Sequence, residues 1–212
     1  MIMINPENFE GAHSEYSSAE KQKMFELAES AISHYLKTRH PLELSATGFS
    51  KNLQTEGASF VTLTINGNLR GCVGSLWAYR PLYEDIINNA TAAAFKDDRF
   101  IPLTKGENQK IDIEISLLSQ PKKVDYKNIQ EMLSKIGANT DGVTIMKDKK
   151  VATFLPQVWS EVPDKEEFLS ELCFKAGLSN DEWKNGSLEV FTYQVQIIPQ
   201  SFRIKRVSYA TK

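Results

Sequence analysis

The chain has 212 residues, a hydrophobic fraction of 41% and a net charge of −2 that arises from 25 basic and 27 acidic side chains. This composition supports a sizeable core and provides no positive excess for non-specific binding to nucleic acid. No segment has the ~20 consecutive apolar residues of a membrane-spanning helix. Two cysteines far apart in sequence argue against a disulfide framework and indicate a reducing compartment. We therefore expect a cytoplasmic protein with no membrane partner, and the charge disfavours nucleic acid as a partner.

The first third of the chain predicts a helix followed by a β-hairpin. Ser17 and Glu20 have the spacing of a capping box, and apolar residues at helical spacing continue until shortly before Pro41. Residues 58–65 alternate between apolar and polar side chains and are rich in β-branched residues, which predicts a strand. Asn-Gly at residues 66–67 is a strong signal for a two-residue hairpin turn.

A second helix and a third strand are predicted next. Pro81 suits the first position of a helix that runs to about Lys96. The predicted buried face of this helix consists of Leu82, Ile86, Ala90 and Ala93. Residues 111–119 alternate cleanly, with Ile111, Ile113, Ile115 and Leu117 on the apolar face.

The remaining elements repeat this mixture of helices and strands. We predict a third helix from Asp125 to Gly137, a hairpin over 142–155 with its turn at 148–149, and a helix from Asp164 to Gly177. Strands near 189–197 and 201–207 complete the series. Cys173 is expected in the core of its helix, and the lysine-rich segment 147–150 is expected to be an exposed hairpin tip.

The order of these elements predicts an α+β protein built from two similar halves. No Gly/Ser-rich or Pro-rich linker separates the halves. We therefore expect residues 17–207 to form a single domain, of one or two lobes, around one continuous sheet. Residues 1–16 are expected to be a loose lead-in and residues 208–212 a tail.

The hexapeptide Leu-Arg-Gly-Cys-Val-Gly at residues 69–74 has the strongest functional pattern in the chain. Arg70 and Cys72 are two residues apart in a predicted strand, so their side chains should share a face, and a guanidinium near a thiol favours the thiolate. Gly71 and Gly74 would allow another backbone, or a ligand, to approach the sulfur. Cys72 is thus a candidate nucleophile, with glycine N–H groups available for an oxyanion. In the alternative interpretation, Cys72 is a small buried apolar residue and Arg70 a surface residue.

Further candidate residues come from three other segments. Asp97, at the end of the second helix, needs a compensating charge, for which Arg99 and Arg70 are candidates; this acidic segment is either a functional carboxylate pair or a structural ion-pair cluster. Glu114 becomes a candidate acid or base if its sheet curls. Gln157 and Trp159 either line a cleft or, with Trp159 in the core, form a hydrophobic corner. The three histidines have no zinc-binding spacing with either cysteine, so no metal site is expected.

Together these motifs resemble the AMMECR domain family, whose prokaryotic members are called AmmeMemoRadiSam system protein A. The matching segments occur in family order and lie within residues 20 to 205; they are residues 69–75, 97–100, 152–159 and 172–177. Val73 stands where isoleucine is usual, and Asp98 stands where proline is usual. The second departure removes a rigid turn.

The resemblance implies two related strand-helix halves that share a barrel-like, largely antiparallel sheet with a cleft near the hexapeptide. It also implies a Memo-like protein and a radical SAM enzyme as partners, and it supplies no reaction and no cofactor.

Two main functions remain open. The first is a binding or adaptor component whose cleft accepts a partner or a small molecule through Arg70, Gly71, Gly74, Arg99, Glu114, Gln157 and Trp159. The alternative is an enzyme of a small modification system that uses Cys72. A nucleic-acid-associated regulator is a third hypothesis, which the acidic pI weakens.

Overall fold

A computed structural model describes residues 16–198 of the chain. These residues form two compact units, which we call the first unit (residues 16–117 and 196–198) and the second unit (residues 118–195). None of the helices within residues 16–198 has both the length and the apolar composition required to cross a membrane.

The described chain contains five α-helices and eight strands in an α+β arrangement. The helices are α1 (Ser18–Thr38), α2 (Lys51–Gln54), α3 (Leu82–Phe95), α4 (Ile129–Lys135) and α5 (Lys165–Lys175). The strands are β1 (Ala58–Ile65), β2 (Asn68–Gly74), β3 (Ile111–Leu118), β4 (Lys122–Lys123), β5 (Gly142–Lys147), β6 (Lys150–Phe154), β7 (Glu189–Tyr193) and β8 (Val195–Ile198). Short 3₁₀ helices cover Pro156–Ser160 and Glu182–Asn185.

The first unit is a four-stranded sheet in the order β2-β1-β3-β8, with α1 and α3 packed together. The predicted capping box of α1 is confirmed, because the Ser17 hydroxyl accepts from the Glu20 N–H and the Glu20 carboxylate accepts from the Ser17 N–H. The Asn-Gly turn is also confirmed, with positive φ angles of 52° at Asn66 and 79° at Gly67. The predicted apolar faces of α3 and β3 are buried in the core of this unit.

The second unit is a four-stranded sheet in the order β4-β7-β5-β6, with α5 packed against β6. The predicted hairpin turns at Asp148, whose φ is 55°. Asp164 caps α5 by accepting from the N–H groups of Glu166 and Glu167. Cys173 is buried in the core of this unit, as predicted, and burial raises the pKa of its thiol.

The prediction of one continuous, barrel-like sheet is wrong for the described residues, which form two separate sheets. The predicted strand 189–197 is interrupted at Gln194, so that β7 belongs to one sheet and β8 to the other. At this interruption Gln194 pairs with Ser119, which is 75 positions away in the chain. Gln194 donates its N–H to the Ser119 hydroxyl at 2.7 Å and accepts the Ser119 N–H at 2.8 Å. These two residues lie near the two ends of the second unit.

Three smaller expectations also need adjustment. Helix α4 begins after Asn128, whose side chain caps the Glu131 N–H, rather than at Asp125. Lys147 is not freely exposed like the rest of the hairpin tip, because it forms an ion pair with Glu182. The strand predicted at 201–207 lies outside the described residues.

Candidate functional site

Cys72 lies in β2, which is the edge strand of the first sheet. Its Cα partner on β1 is Thr62, and the Thr62 hydroxyl is 3.3 Å from the Cys72 sulfur. The side chain of Cys72 is half-buried. The neighbouring Gly71 faces α3, so alternation along the strand directs the Cys72 side chain to the opposite face of the sheet.

Both backbone groups of Cys72 are bonded by side chains from the segment after α3. The Cys72 N–H donates to the Asp97 carboxylate at 2.8 Å, and the Arg99 guanidinium donates to the Cys72 carbonyl at 3.2 Å. The pair Thr62–Cys72 is therefore a non-hydrogen-bonded pair, the type in which facing side chains are closest. At this position Asp97 and Arg99 occupy the place that a neighbouring strand would take.

Asp97 and Arg99 also form a salt bridge of 2.7 Å. The hydrogen bond from Arg99 is the main reason that the pKa of Asp97 falls to about 2, and the N–H of Cys72 adds to the effect. Arg99 thus supplies the charge that an acidic group at the end of a helix requires. The same guanidinium interacts electrostatically with Cys72, so Arg99 is a source of positive charge for the thiol.

Arg70 occupies a β-bulge. The register changes from Leu63–Gly71 to Thr64–Leu69, which makes Arg70 the extra residue of β2. Simple alternation therefore does not determine its direction. Its Nε donates to Glu107 at 2.8 Å, and one terminal nitrogen donates to the Ile101 carbonyl at 2.9 Å. The hydrogen bond from Arg70 is the largest cause that lowers the pKa of Glu107 to about 2.

Phe100 connects these two ion pairs. The guanidinium carbons of Arg70 and Arg99 lie 5.9 and 5.5 Å from the centre of its ring, within the range of cation–π attraction. We call the five residues Arg70, Asp97, Arg99, Phe100 and Glu107 the edge clamp. Its charges balance, and it fixes the segment after α3 against β2.

Gly71 and Gly74 serve close packing. A Cβ atom on Gly71 would lie 2.1 Å from the backbone oxygen of Ala93 in α3, and one on Gly74 would lie 2.2 Å from the ring of Phe60. The backbone of α3 therefore approaches β2 at Gly71, on the face of the strand opposite to the Cys72 sulfur, so this approach is not the predicted one to the thiol. The two glycines therefore set how closely α3 and Phe60 approach β2.

Comparison with known proteins identifies the family. A sequence model of the AMMECR1 family matches residues 25–198. The chain belongs to the AMMECR1 family. It is 34% identical to a protein from Thermofilum pendens over 87% of this chain and 92% of that protein. It is 33% identical to a protein from Methanopyrus kandleri, with 85% and 88% covered. The crystal structure of an uncharacterized protein from Pyrococcus horikoshii superposes with a TM-score of 0.77 at 33% identity, covering 84% of this chain and 89% of that one.

The other predicted site residues of this AMMECR1 domain lie elsewhere. Glu114 is half-buried on β3, and burial raises the pKa of its carboxyl group. Gln157 and Trp159 belong to the second unit. Gln157 is exposed, whereas Trp159 is 1% exposed, stacks on Phe168 at 3.6 Å and donates its indole N–H to a backbone carbonyl. The structure therefore brings Cys72, Gly71 and Gly74 together with Arg70 and Arg99 along β2.

A buried polar network next to the hexapeptide was not predicted. The Asp85 carboxylate in α3 is fully buried and accepts five hydrogen bonds of 2.6 to 2.8 Å. The donors are the Ser59 N–H and hydroxyl, the Ser75 hydroxyl, Arg80 Nε and the Asn89 amide. One signal was available, since Asp85 and Asn89 are four residues apart beside the apolar face of a helix. The network holds the loop 75–80, which follows the hexapeptide, at both of its ends.

Within residues 16–198, no group of three or more His, Cys, Asp or Glu side chains is arranged to hold a metal ion. The chemical groups at the Cys72 edge are a thiol, a hydroxyl and two ion pairs. This set can bind a partner through polar and apolar contacts, and it can hold a thiolate beside a positive charge.

Proposed function

We propose that this AMMECR1 protein is a binding component that docks a partner protein on the segment fixed by the edge clamp. The observation that supports the proposal is the exposure of Ile101. Ile101 is 75% exposed, yet its backbone carbonyl accepts a hydrogen bond from Arg70, whose side chain is largely buried. A large apolar side chain held on a fixed backbone loses little conformational entropy when a partner covers it.

The surroundings of Ile101 suit a protein interface. Leu69, next to Arg70 on β2, is 45% exposed, and the Arg99 side chain is 54% exposed. Aliphatic contacts beside an arginine that is already neutralised provide contact area without leaving a charge unpaired on binding. In this proposal the edge clamp holds the backbone in place, and the side chains of Ile101 and Leu69 contact the partner.

The partners that the family resemblance suggests are a Memo-like protein and a radical SAM enzyme in the same cytoplasm. The direct test is calorimetric titration of each purified partner, taken from the same organism, into the wild-type chain and into Ile101→Asp. We expect the variant to weaken binding by at least about tenfold, because a buried carboxylate would replace an apolar contact.

Leu44→Asp is the matched control, since Leu44 is another exposed aliphatic residue, at 41%, in the first unit. The proposal that Ile101 lies in the interface would be wrong if Ile101→Asp left binding unchanged, or if both variants weakened binding equally. Failure of both proteins to bind the wild-type chain would reject them as partners.

A second candidate function is catalysis by Cys72. The observation in its favour is a half-buried thiol next to the Thr62 hydroxyl and within the electrostatic influence of Arg99. The test is the pH dependence of iodoacetamide alkylation in a Cys173→Ala background, with Arg99→Gln as the comparison. A catalytic thiol should react at pH 7 faster than a free thiol, whose pKa is about 8.5, and Arg99→Gln should slow it. A rate no faster than that of a free thiol would reject this candidate.

A further inference from the structure

The outer side of β6 in the second unit is an unpaired strand edge among the described residues, because β6 is the last strand in its sheet. The turn at 148–149 closes the pair Lys147–Lys150, and the closing pair of a two-residue turn is hydrogen-bonded. Hydrogen-bonded and non-hydrogen-bonded pairs alternate along an antiparallel ladder. Val151 and Thr153 therefore direct their backbone groups away from β5.

Two side-chain contacts agree with this assignment. The hydroxyls of Thr144 and Thr153, which face each other across the ladder, are 2.9 Å apart, as expected for the closer, non-hydrogen-bonded type of pair. The Thr153 carbonyl accepts a hydrogen bond of 3.0 Å from the ammonium group of Lys175, which approaches from α5. Within residues 16–198, the groups of this edge that remain beyond that contact are the N–H and C=O of Val151 and the N–H of Thr153.

Apolar side chains lie along the same edge. Val151 is 40% exposed on the strand, and Phe174, next to Lys175 at the end of α5, is 66% exposed. Lys175 also lies 4.9 Å from the centre of the Phe154 ring, which places the last turn of α5 beside β6. An incoming strand would therefore find backbone partners on β6 and an aromatic side chain beside them.

The charge along the edge is most positive at the hairpin tip. Lys149 and Lys150 accompany one carboxylate there, Asp148. Lys147 is paired with Glu182. At the opposite end of β6, the positive charge of Lys175 is accompanied by Glu171, which lies one turn earlier in α5. The tip therefore attracts an acidic group, whereas the end near Phe174 favours an apolar one.

We propose that β6 accepts an extended acidic segment of another protein as an added strand. Main-chain hydrogen bonds to Val151 and Thr153 would provide affinity, while side chains facing the lysines and Phe174 would set specificity, as in other complexes formed by strand addition. This surface belongs to the second unit, whereas Ile101 and Cys72 belong to the first.

The probe is a fluorescein-labelled eight-residue peptide of alternating valine and threonine with two glutamates at one end. It is made in two versions, with the glutamates at the N-terminus or at the C-terminus. We expect one version to bind with rising fluorescence anisotropy and to dissociate as salt is added. Val151→Pro removes the outward N–H while leaving the inner ladder intact, and it should weaken binding at least about tenfold.

The Lys149→Glu/Lys150→Glu double variant should weaken binding by a similar factor, whereas Lys127→Glu, at another exposed lysine, should not. Circular dichroism confirms that each variant is folded. Ile101→Asp should leave peptide binding unchanged, which separates this proposal from the proposed function. The proposal is overturned if neither peptide binds at about 1 mM, or if folded Val151→Pro binds equally well. Sedimentation that shows a dimer dissolved by Val151→Pro would assign the edge to a second copy of the chain and would equally overturn it.

Discussion

The two sheets treat their edges differently. In the first unit, side chains of the same chain cover the edge at Cys72, where Asp97 and Arg99 bond both backbone groups of the cysteine. In the second unit, the edge strand β6 has one outward carbonyl bonded by Lys175. A strand edge is a template for pairing unless it is covered or charged. One edge therefore holds the segment after α3 in place, while the other is the one on which we propose that a strand is added.

The two units also differ in the side chains that they bury. The first unit buries a carboxylate beside its hexapeptide, where the Asp85 network connects β1, α3 and the loop 75–80. The second unit places stacked aromatic rings in its core, with Trp159 and Phe168 parallel within 4° at 3.6 Å. The candidate site thus lies beside a buried charged network, whereas the core of the unit that carries β6 contains a pair of stacked rings.

The largest effect is expected from Asp85→Ala in the first unit. Removal of the carboxylate leaves Arg80 Nε and the buried N–H and hydroxyl of Ser59 without their acceptor, which typically costs about 3–5 kcal/mol of unfolding free energy. Urea unfolding followed by circular dichroism measures the loss. Asp98→Ala, at an exposed carboxylate of the same unit, is the control and should change stability by less than about 0.5 kcal/mol. Equal effects of the two variants would contradict the structural role of the network.

The next largest effect is expected from Gly71→Ala compared with Gly142→Ala. The new Cβ at position 71 meets the backbone of Ala93, which cannot move without displacing α3. At position 142 it meets the ring of Tyr193, at 2.3 Å, and that side chain can shift at some cost. We expect a loss of about 3 kcal/mol or more for Gly71→Ala and about 1–3 kcal/mol for Gly142→Ala, measured by urea unfolding. A larger loss at position 142 would show that the ring is held more firmly than the helix.

Much of the fold could be predicted from the sequence, because its signals are local. The capping box at Ser17, the Asn-Gly turn and the alternation in β3 each depend on residues within a few positions of one another. The continuity of the sheet could not be predicted in this way. It depends on the pairing of Ser119 with Gln194, which are far apart in the chain, and β7 and β8 look like one strand in the sequence.

The sequence indicated which segments form the candidate site, but it did not indicate which side chains contact one another there. The hexapeptide, Asp97 and Arg99 were identified, but Arg70 was expected next to the thiol and instead pairs with Glu107 through a bulge. A bulge arises from a register change that single-strand alternation does not reveal. The Asp85 network was missed because its members come from a strand, a loop and a helix that only the tertiary fold brings together.

A smaller effect concerns acid stability. The pKa of Asp97 is about 2 in the folded chain, against an ordinary value of 3.8, so its contribution is fully present above about pH 4 and is lost as pH falls toward 2. We expect this contribution to be about 2 kcal/mol and Asp97→Asn to flatten the fall of stability between pH 5 and 2. Urea unfolding at a series of pH values measures the slope.

Glu131→Gln is the corresponding variant in the second unit. The pKa of Glu131 is also lowered, chiefly by a hydrogen bond from Lys135. The Glu131 side chain is 31% exposed, however, whereas that of Asp97 is 4% exposed. The slope should therefore change less than with Asp97→Asn, because solvent screens exposed pairs. An identical change for both variants would mean that the clamp contributes no more to acid stability than a surface pair does.

The smallest stability effects, at the helix caps, answer the question of whether the two units unfold together. The second unit is inserted between β3 and β8, which are neighbours in the sheet of the first unit, and Ser119 and Gln194 join its two ends. Because the chain enters and leaves the second unit at this hydrogen-bonded pair, we expect the two units to unfold in one transition. Ser17→Ala in the first unit and Asp164→Ala in the second should each cost about 1 kcal/mol. Each should shift that single calorimetric transition to lower temperature. Two transitions, each shifted only by the cap of its own unit, would show instead that the units are energetically independent.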